Sequence, residues 1–140
     1  MKELYFAYGS NMNKSAMAIR CPGADNLGPA VLKGWGLRAR LHADIEASRK
    51  EHVDGVLWGV NRKHVKELDF YEGVAYKYYE KKIVEVQMRG CVATVKALVY
   101  VMTPEVVDER PEESFSPEYA YCCAEGAIEN GVEIDPLYKY

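Results

Sequence analysis

Residues 5–13 read YFAYGSNMN, an apolar and aromatic run that gives way to glycine, serine and asparagine within three positions. The run predicts a strand over 3–8, and NKSAMAIR at 13–20 predicts a short helix that Asn13 can cap. The stretch between them is either a plain turn or a loop that holds an anion, because successive backbone N–H groups at a strand end form a small concavity. This loop alone leaves both interpretations open.

Length and composition indicate one globular domain that spans residues 1–140. Of the 140 residues 49% are apolar and 28% are charged, an ordinary mixture for a folded core. The net charge of −3 gives no field that would attract nucleic acid. No apolar run approaches the roughly 20 residues of a membrane span, and the N-terminus lacks a secretion signal. We therefore expect a cytoplasmic protein with neither a nucleic-acid nor a membrane partner.

The cysteines and histidines predict no metal site and no cofactor. Among the four cysteines, Cys122 and Cys123 are adjacent and lack the CxxC spacing of zinc or redox motifs, so we expect reduced thiols that serve packing. The three histidines share no metal-ligand spacing. His52 and His64 lie in polar surroundings and are expected to be solvated.

The remaining patterns predict an α+β fold, in which a mixed sheet is strongly curled or closed into a β-barrel with short flanking helices. Further strands are predicted at 53–61, 76–88 and 92–102, and two strand pieces in 28–43 are separated around Gly34 and Gly36. Further helices are predicted at 61–73, capped by Asn61, and at 116–131, capped by Ser116. Residues 20–28 and 103–115 are predicted as loops, 44–52 as a mobile connection, and Leu137 and Tyr138 as docking the tail.

Glu72 occupies a position on the predicted helix at 61–73 where an apolar residue would be ordinary. Val65 and Leu68 set the buried face, and Glu72 follows four residues after Leu68, at the middle of that stripe. Burial of a carboxylate without a cation raises its pKa toward neutrality, which suits a general acid–base. If the helix instead ends at Asp69, Glu72 lies in a solvated turn. Periodicity alone leaves both possibilities open.

The loop at 8–11 is a candidate partner for such a carboxylate. It lacks the lysine and glycine spacing of a P-loop, and it lacks the GxSxG elbow that would make Ser10 a nucleophile. Its amides could instead hold a carboxylate or a developing oxyanion.

The order of these motifs resembles the gamma-glutamylcyclotransferase family, including the gamma-glutamylamine cyclotransferases. The resemblance covers roughly residues 4–138, and YGSN followed some sixty residues later by LDxYEG carries most of it. The matching stretches are YFAYGSN, RCP, DGVLWGV, LDFYEGV, YVMT and SPEY followed by GAIENG.

This resemblance implies a small mixed barrel with a cavity at one end. It implies that Glu72 is the catalytic residue and that the YGSN loop lines the cavity with backbone amides. The implied substrate-binding residues are Tyr8, Gly9, Ser10, Asn11, Tyr79, Tyr100 and Tyr119. Tyr78 is the alternative to Tyr79, because the register after EGVAYKYY leaves either side chain free to face the cavity.

The implied partner is a small-molecule gamma-glutamyl substrate, which is converted to 5-oxoproline and the free amine or amino acid. Segments 44–52 and 103–115 are expected to recognise the leaving group, whose identity the sequence leaves open. The sequence also leaves open whether the protein forms a homodimer. Two alternatives remain: a cyclotransferase that removes a gamma-glutamyl cap from a specialised metabolite, and a non-catalytic module that binds a small acid.

Overall fold

Five strands close into a barrel in the computed structural model, which describes residues 2–110 and 112–139. The strands are β1 (Glu3–Ala7), β2 (Asp25–Arg40), β3 (His42–Val60), β4 (Tyr79–Met88) and β5 (Thr94–Met102). Their order around the barrel is β1-β3-β2-β4-β5. The neighbours are antiparallel except β1 and β5, which pair in parallel where Tyr5 faces Leu98. The predicted α+β class with a mixed barrel is confirmed.

Four short helices flank the barrel: α1 (Lys14–Arg20), α2 (Arg62–Tyr71), α3 (Pro104–Glu109) and α4 (Pro117–Glu129). Single 3₁₀ turns lie at Ser10–Met12, Val74–Tyr76 and Pro136–Tyr138. The predicted caps are present, since Asn13 accepts from the Ala16 amide at 3.1 Å and Ser116 accepts from the Tyr119 amide at 3.2 Å.

The barrel interior is filled by large apolar side chains without solvent contact, including Phe6, Leu57 and Val99. The C-terminal segment covers one part of this core through Tyr138, which is 2% exposed and donates its hydroxyl hydrogen to the Tyr8 carbonyl at 2.6 Å. Leu137 is 42% exposed, so the prediction that it also docks the tail is wrong. Within this 3₁₀ turn only Tyr138 is buried, so Tyr138 alone anchors the segment.

A long hairpin of β2 and β3 overturns three predictions. Residues 20–28 are not loop throughout, because β2 begins at Asp25. Residues 28–43 were expected as two strand pieces, but β2 runs unbroken to Arg40, and Gly34 lies in a register shift between Lys33 and Trp35. Segment 44–52, expected as a mobile connection, lies within β3. The glycine signal therefore marks a bulge rather than the end of a strand.

Ion pairs account for the polar composition of this hairpin. Arg38 Nη2 lies 2.9 Å from Glu51 Oε2 and 3.3 Å from Glu46 Oε2. The buried Arg40 contacts Asp44 at 2.9 Å and Glu46 at 2.7 Å. Because these charges neutralise one another across the two strands, the segment is ordered although its composition is typical of a loop.

Two further local predictions are wrong because side chains bond to the backbone at the start of α3 and of α2. Segment 103–115 is not loop throughout, since Thr103 caps the six-residue α3 and Pro104 occupies its first turn. His64 is 7% exposed rather than solvated. Its Nδ1 accepts from the Asn61 amide at 3.1 Å, and its Nε2 lies 2.7 Å from the Pro22 carbonyl oxygen. His64 thus completes a capping box at the start of α2.

Candidate active site

A cavity of about 340 Å³ lies at the end of the barrel where β1 and β5 finish and where β3 and β4 begin. The parallel pairing of β1 with β5, and the antiparallel pairing of their other neighbours, bring these four strand ends together. All the residues implied by the resemblance line this cavity: Tyr8, Gly9, Ser10, Asn11, Glu72, Tyr79, Tyr100 and Tyr119.

The YGSN loop forms one wall of the cavity. Gly9 precedes the 3₁₀ turn Ser10–Met12, and the first amides of such a turn have no carbonyl partner within it. A Cβ atom at Gly9 would lie 3.0 Å from the Tyr119 hydroxyl and 3.3 Å from Ala43 Cβ. Glycine at this position therefore allows the loop to approach the opposite wall closely.

The end of α2 is held against this loop by a polar cluster. The Tyr71 hydroxyl lies 3.3 Å from Ser10 Oγ, and the Arg20 guanidinium stacks on the Tyr71 ring with its Cζ 3.6 Å from the centroid. Arg20 also donates to the Asn11 side-chain carbonyl. Since Glu72 directly follows Tyr71, this cluster fixes the distance between Glu72 and the YGSN loop.

Glu72 is the C-cap of α2 and directly follows Tyr71, the last residue of that helix. Its amide donates to the Leu68 carbonyl at 2.8 Å, and Gly73 then leaves the helix with a φ of +66°. The side chain is half-buried, with its accessible part facing the cavity. Burial raises the pKa of Glu72 to about 7, against the smaller opposing effect of Arg20. A carboxyl group in this state is present in both protonation forms at neutral pH.

Tyrosine hydroxyls form the opposite wall, and two of them hold the backbone of Ala43. The Tyr79 hydroxyl donates to the Ala43 carbonyl at 2.8 Å, and the Ala43 amide donates to the Tyr119 hydroxyl at 3.0 Å. The Tyr8 hydroxyl donates to the Tyr100 carbonyl at 2.7 Å. Burial raises the pKa of Tyr8, Tyr79 and Tyr119 well above the usual range, so these side chains are neutral at physiological pH.

Tyr78 and Tyr79 were alternatives for one place in the cavity, and both side chains line it. They differ in depth: Tyr79 is buried, whereas Tyr78 is 48% exposed and lies at the mouth. Arg110 and the exposed His42 line the cavity beside it.

Within residues 2–110 and 112–139, no three His, Cys, Asp or Glu side chains come together as they would around a metal ion. No helix of this part of the chain has the length and apolar character needed to cross a bilayer. The four cysteines all lie in the described ranges as free thiols.

Comparison with known proteins identifies the family. A family model described as "Gamma-glutamyl cyclotransferase, AIG2-like" matches residues 5–121, which include the YGSN loop, Glu72 and Tyr119. The chain belongs to this family.

Relatives with this description match along most of the chain. It is 32% identical over 142 residues to the gamma-glutamylcyclotransferase of Mus musculus, which covers 92% of this chain and 72% of the mouse protein. Identity to the Homo sapiens gamma-glutamylcyclotransferase is 29%, over 94% of this chain and 73% of the human protein. A solved structure of a gamma-glutamyl cyclotransferase superposes with a TM-score of 0.86 at 27% identity and covers 98% of this chain and 85% of that structure.

In this member of the gamma-glutamyl cyclotransferase family, the cavity also contains residues that the sequence did not predict. These are Tyr5, Phe6, His42, Ala43, Tyr71 and Arg110. Tyr71 adjoins Glu72, and Arg110 is the single basic residue of the acidic segment 103–115. These two features of Tyr71 and Arg110 can be read from the sequence. The positions of His42 and Ala43 in the cavity wall depend instead on the pairing of β2 with β3.

Proposed function

We propose that the chain is a gamma-glutamyl cyclotransferase that releases 5-oxoproline and a free amine or amino acid from a gamma-glutamyl substrate, with Glu72 as general acid–base. The observation that carries this proposal is the half-buried Glu72, with its pKa raised to about 7, in the same cavity as the YGSN loop. A protein that only bound a small anion would gain nothing from a carboxylate in this position.

In the proposed reaction the substrate's α-amine attacks its own γ-carbonyl carbon. The α-ammonium first gives a proton to the Glu72 carboxylate, and the free amine then forms the new C–N bond of a five-membered ring. The γ-oxygen becomes negatively charged in the tetrahedral intermediate. The γ-carbonyl then re-forms and the old C–N bond breaks as Glu72 returns the proton to the departing nitrogen. The ring nitrogen still carries a second proton, which passes to the released amine, so that the products are 5-oxoproline and an ammonium ion. One carboxyl group with a pKa near 7 can perform both transfers.

The remaining walls would orient the substrate. Amides of Gly9, Ser10 and Asn11 would bind its negatively charged oxygens, and neutral tyrosines would add hydrogen bonds without a charge that competes with Glu72. Holding the substrate in a folded shape supplies much of the rate acceleration, since a near-attack geometry can lower the barrier by up to about 10 kcal/mol.

The test is incubation of the protein with gamma-glutamyl-alanine, followed by chromatographic measurement of 5-oxoproline and alanine. We expect equal amounts of the two products. The N-acetylated substrate is the control, because its blocked α-nitrogen cannot close the ring. Glutamate as the product would indicate hydrolysis and contradict the proposal, and binding without turnover would favour a non-catalytic module.

Arg20 is expected to set the acidic limb of the pH–rate profile. The guanidinium favours the carboxylate form of Glu72, so its loss in Arg20→Met should raise the pKa of Glu72 further. Activity that needs the carboxylate should then appear at a higher pH, by up to about one pH unit. The measurement is kcat/KM between pH 5 and 9. An unshifted limb would mean that Arg20 has no electrostatic effect, and Arg20→Lys, which keeps the charge, should move it less.

Glu72 is also expected to make stability depend on pH. Its pKa is about 7 in the folded chain and near 4.5 when unfolded, so the folded state binds the extra proton between these values. Its contribution is therefore fully present below pH 4.5 and is lost as the pH rises through 7. Relative to wild type, Glu72→Gln should gain up to about 3 kcal/mol of unfolding free energy between pH 4 and pH 8. Urea denaturation at both pH values measures this gain, and a difference that is constant with pH would contradict the raised pKa.

A further inference from the structure

Charge is distributed unevenly around the cavity. Three lining residues other than the tyrosines can ionise: Glu72, His42 and Arg110. Glu72 lies beside the buried YGSN loop, whereas Arg110 lies beside the half-exposed Tyr78, with its Cζ 5.8 Å from the Tyr78 ring centroid. The cavity thus has its carboxylate at depth and its guanidinium at the mouth.

Arg110 is held in place by the backbone around α3. The Thr103 amide donates to the Tyr78 carbonyl at 3.1 Å, and the Thr103 hydroxyl donates to the Lys77 carbonyl at 2.6 Å. At the other end of this helix, the Arg110 amide donates to the Val106 carbonyl at 2.9 Å. These bonds join the segment that carries Arg110 to the cavity wall.

The Arg110 charge has no carboxylate partner within the described residues. Arg38 and Arg40 each form ion pairs, but none joins Arg110 to an acid of 2–110 or 112–139. This holds although Arg110 is half-buried and follows directly after the acidic Asp108 and Glu109. Acid-rich neighbours in sequence therefore do not neutralise the guanidinium, which is available to an anion in the cavity.

The charge of Arg110 acts on His42 and, as the smallest effect, on the deeper Tyr79, but it is not among the causes that shift the pKa of Glu72. It contributes to lowering the pKa of His42, after the larger effect of burial, and it opposes the burial that raises the pKa of Tyr79. The pKa of Glu72 responds instead to burial and to Arg20. A carboxylate bound by Arg110 would therefore lie away from the acid–base group.

We propose that Arg110 is a specificity-determining residue that binds a carboxylate of the leaving group at the cavity mouth, so that the chain favours gamma-glutamyl amino acids or peptides over gamma-glutamyl amines without a carboxylate. This rests on the proposed cyclotransferase function. The glutamyl part must reach Glu72 and the YGSN loop, and the leaving group, which varies in size, then extends toward Tyr78 and Arg110. The planar guanidinium can bind a carboxylate through two parallel hydrogen bonds.

The experiment compares gamma-glutamyl-alanine with gamma-glutamyl-alaninamide, which differ only in the charge of the leaving group. For wild type we expect kcat/KM to be about 10-fold higher for the acid, as for a charge-assisted hydrogen bond at a partly exposed site. In Arg110→Gln this preference should fall to about one, through loss of activity on the acid alone. Arg110→Lys should keep part of it, because lysine supplies the charge without the paired geometry.

Arg62→Gln is the matched control, since it removes the same charge at the exposed start of α2, about 15 Å along the helix from Glu72. It should leave the preference unchanged. Equal turnover of acid and amide by wild type would overturn the role of Arg110 while the cyclotransferase function stands. An equal loss on both substrates in Arg110→Gln would place the guanidinium on the glutamyl part and also overturn it. If wild type makes 5-oxoproline from neither substrate, the proposed function fails, and this inference with it.

Discussion

Replacement of Glu72 by glutamine is expected to lower kcat for gamma-glutamyl-alanine by about 10²–10⁴-fold, the usual range for removing a general acid–base. Glutamine has nearly the same shape but cannot accept the α-ammonium proton or return one to the leaving nitrogen. Because the amide fills the same space in the cavity wall, we expect KM to change little. Measuring 5-oxoproline over a range of substrate concentrations separates the two constants.

Glu67→Gln is the matched control for this prediction. Glu67 lies on the exposed face of α2, the helix whose C-cap is Glu72. The control should keep wild-type kcat and a normal unfolding transition. If Glu72→Gln turned over substrate as fast as Glu67→Gln, the proton transfers would have to belong to another group, and the proposed mechanism would be wrong.

The placement of Glu72 could be predicted because a helix imposes its period on short sequences. Leu68 is fully buried, and Glu72 follows one turn later on the same side, where its amide bonds to the Leu68 carbonyl. The caps of α1, α2 and α4 could be predicted for the same reason, since each depends on residues three or four positions apart. The short α3 carries a similar signal in Thr103 and Pro104, but the acids that follow conceal it.

The hairpin of β2 and β3 shows where such local reasoning fails. Arg38, Glu46 and Glu51 are polar in a way that predicts a solvated connection, yet they neutralise one another only once the two strands are paired. The pairing partner lies elsewhere in the sequence, so alternation within one segment cannot reveal it.

The residues that line the cavity could not be predicted from local sequence patterns, because they also come together only in the folded barrel. Its tyrosines come from separate parts of the chain, and barrel closure between β1 and β5 brings them together. Ala43 is an inconspicuous residue in sequence, but its backbone groups bond to Tyr79 and Tyr119. Only the resemblance to a family linked such tyrosines to one site before the fold was known.

The close approach of α4 to the loop region leads to the second large expected effect. Gly126 lies inside α4, near its C-terminal end, and a Cβ there would lie 2.5 Å from the Asn13 nitrogen and 2.6 Å from the Met12 carbonyl carbon. Both atoms are backbone and cannot move like the end of a side chain. Asn130 strengthens this contact, since its side-chain amide donates to the Met12 carbonyl at 2.9 Å.

Gly126→Ala is expected to lower the unfolding free energy by about 3 kcal/mol, because the helix and the loop must separate. An alanine in the middle of a helix would otherwise be favourable by about 1 kcal/mol, so the sign of the change identifies the dominant effect. Ser10 and Asn11 line the cavity just before the backbone that would be displaced. We therefore also expect a higher KM for gamma-glutamyl-alanine at temperatures where the variant is folded. Urea denaturation and steady-state kinetics measure the two effects.

Gly59→Ala provides the comparison, because a Cβ at Gly59 would meet its nearest neighbour, Asp25 Cβ, at an ordinary contact distance of 3.4 Å. It should change the stability by less than about 1 kcal/mol. If Gly126→Ala were as stable as Gly59→Ala, the helix would not be pressed against the backbone of residues 12–13. The position of the YGSN loop would then have to depend on the cluster of Arg20 and Tyr71 alone, rather than on that cluster together with the support of α4 from behind.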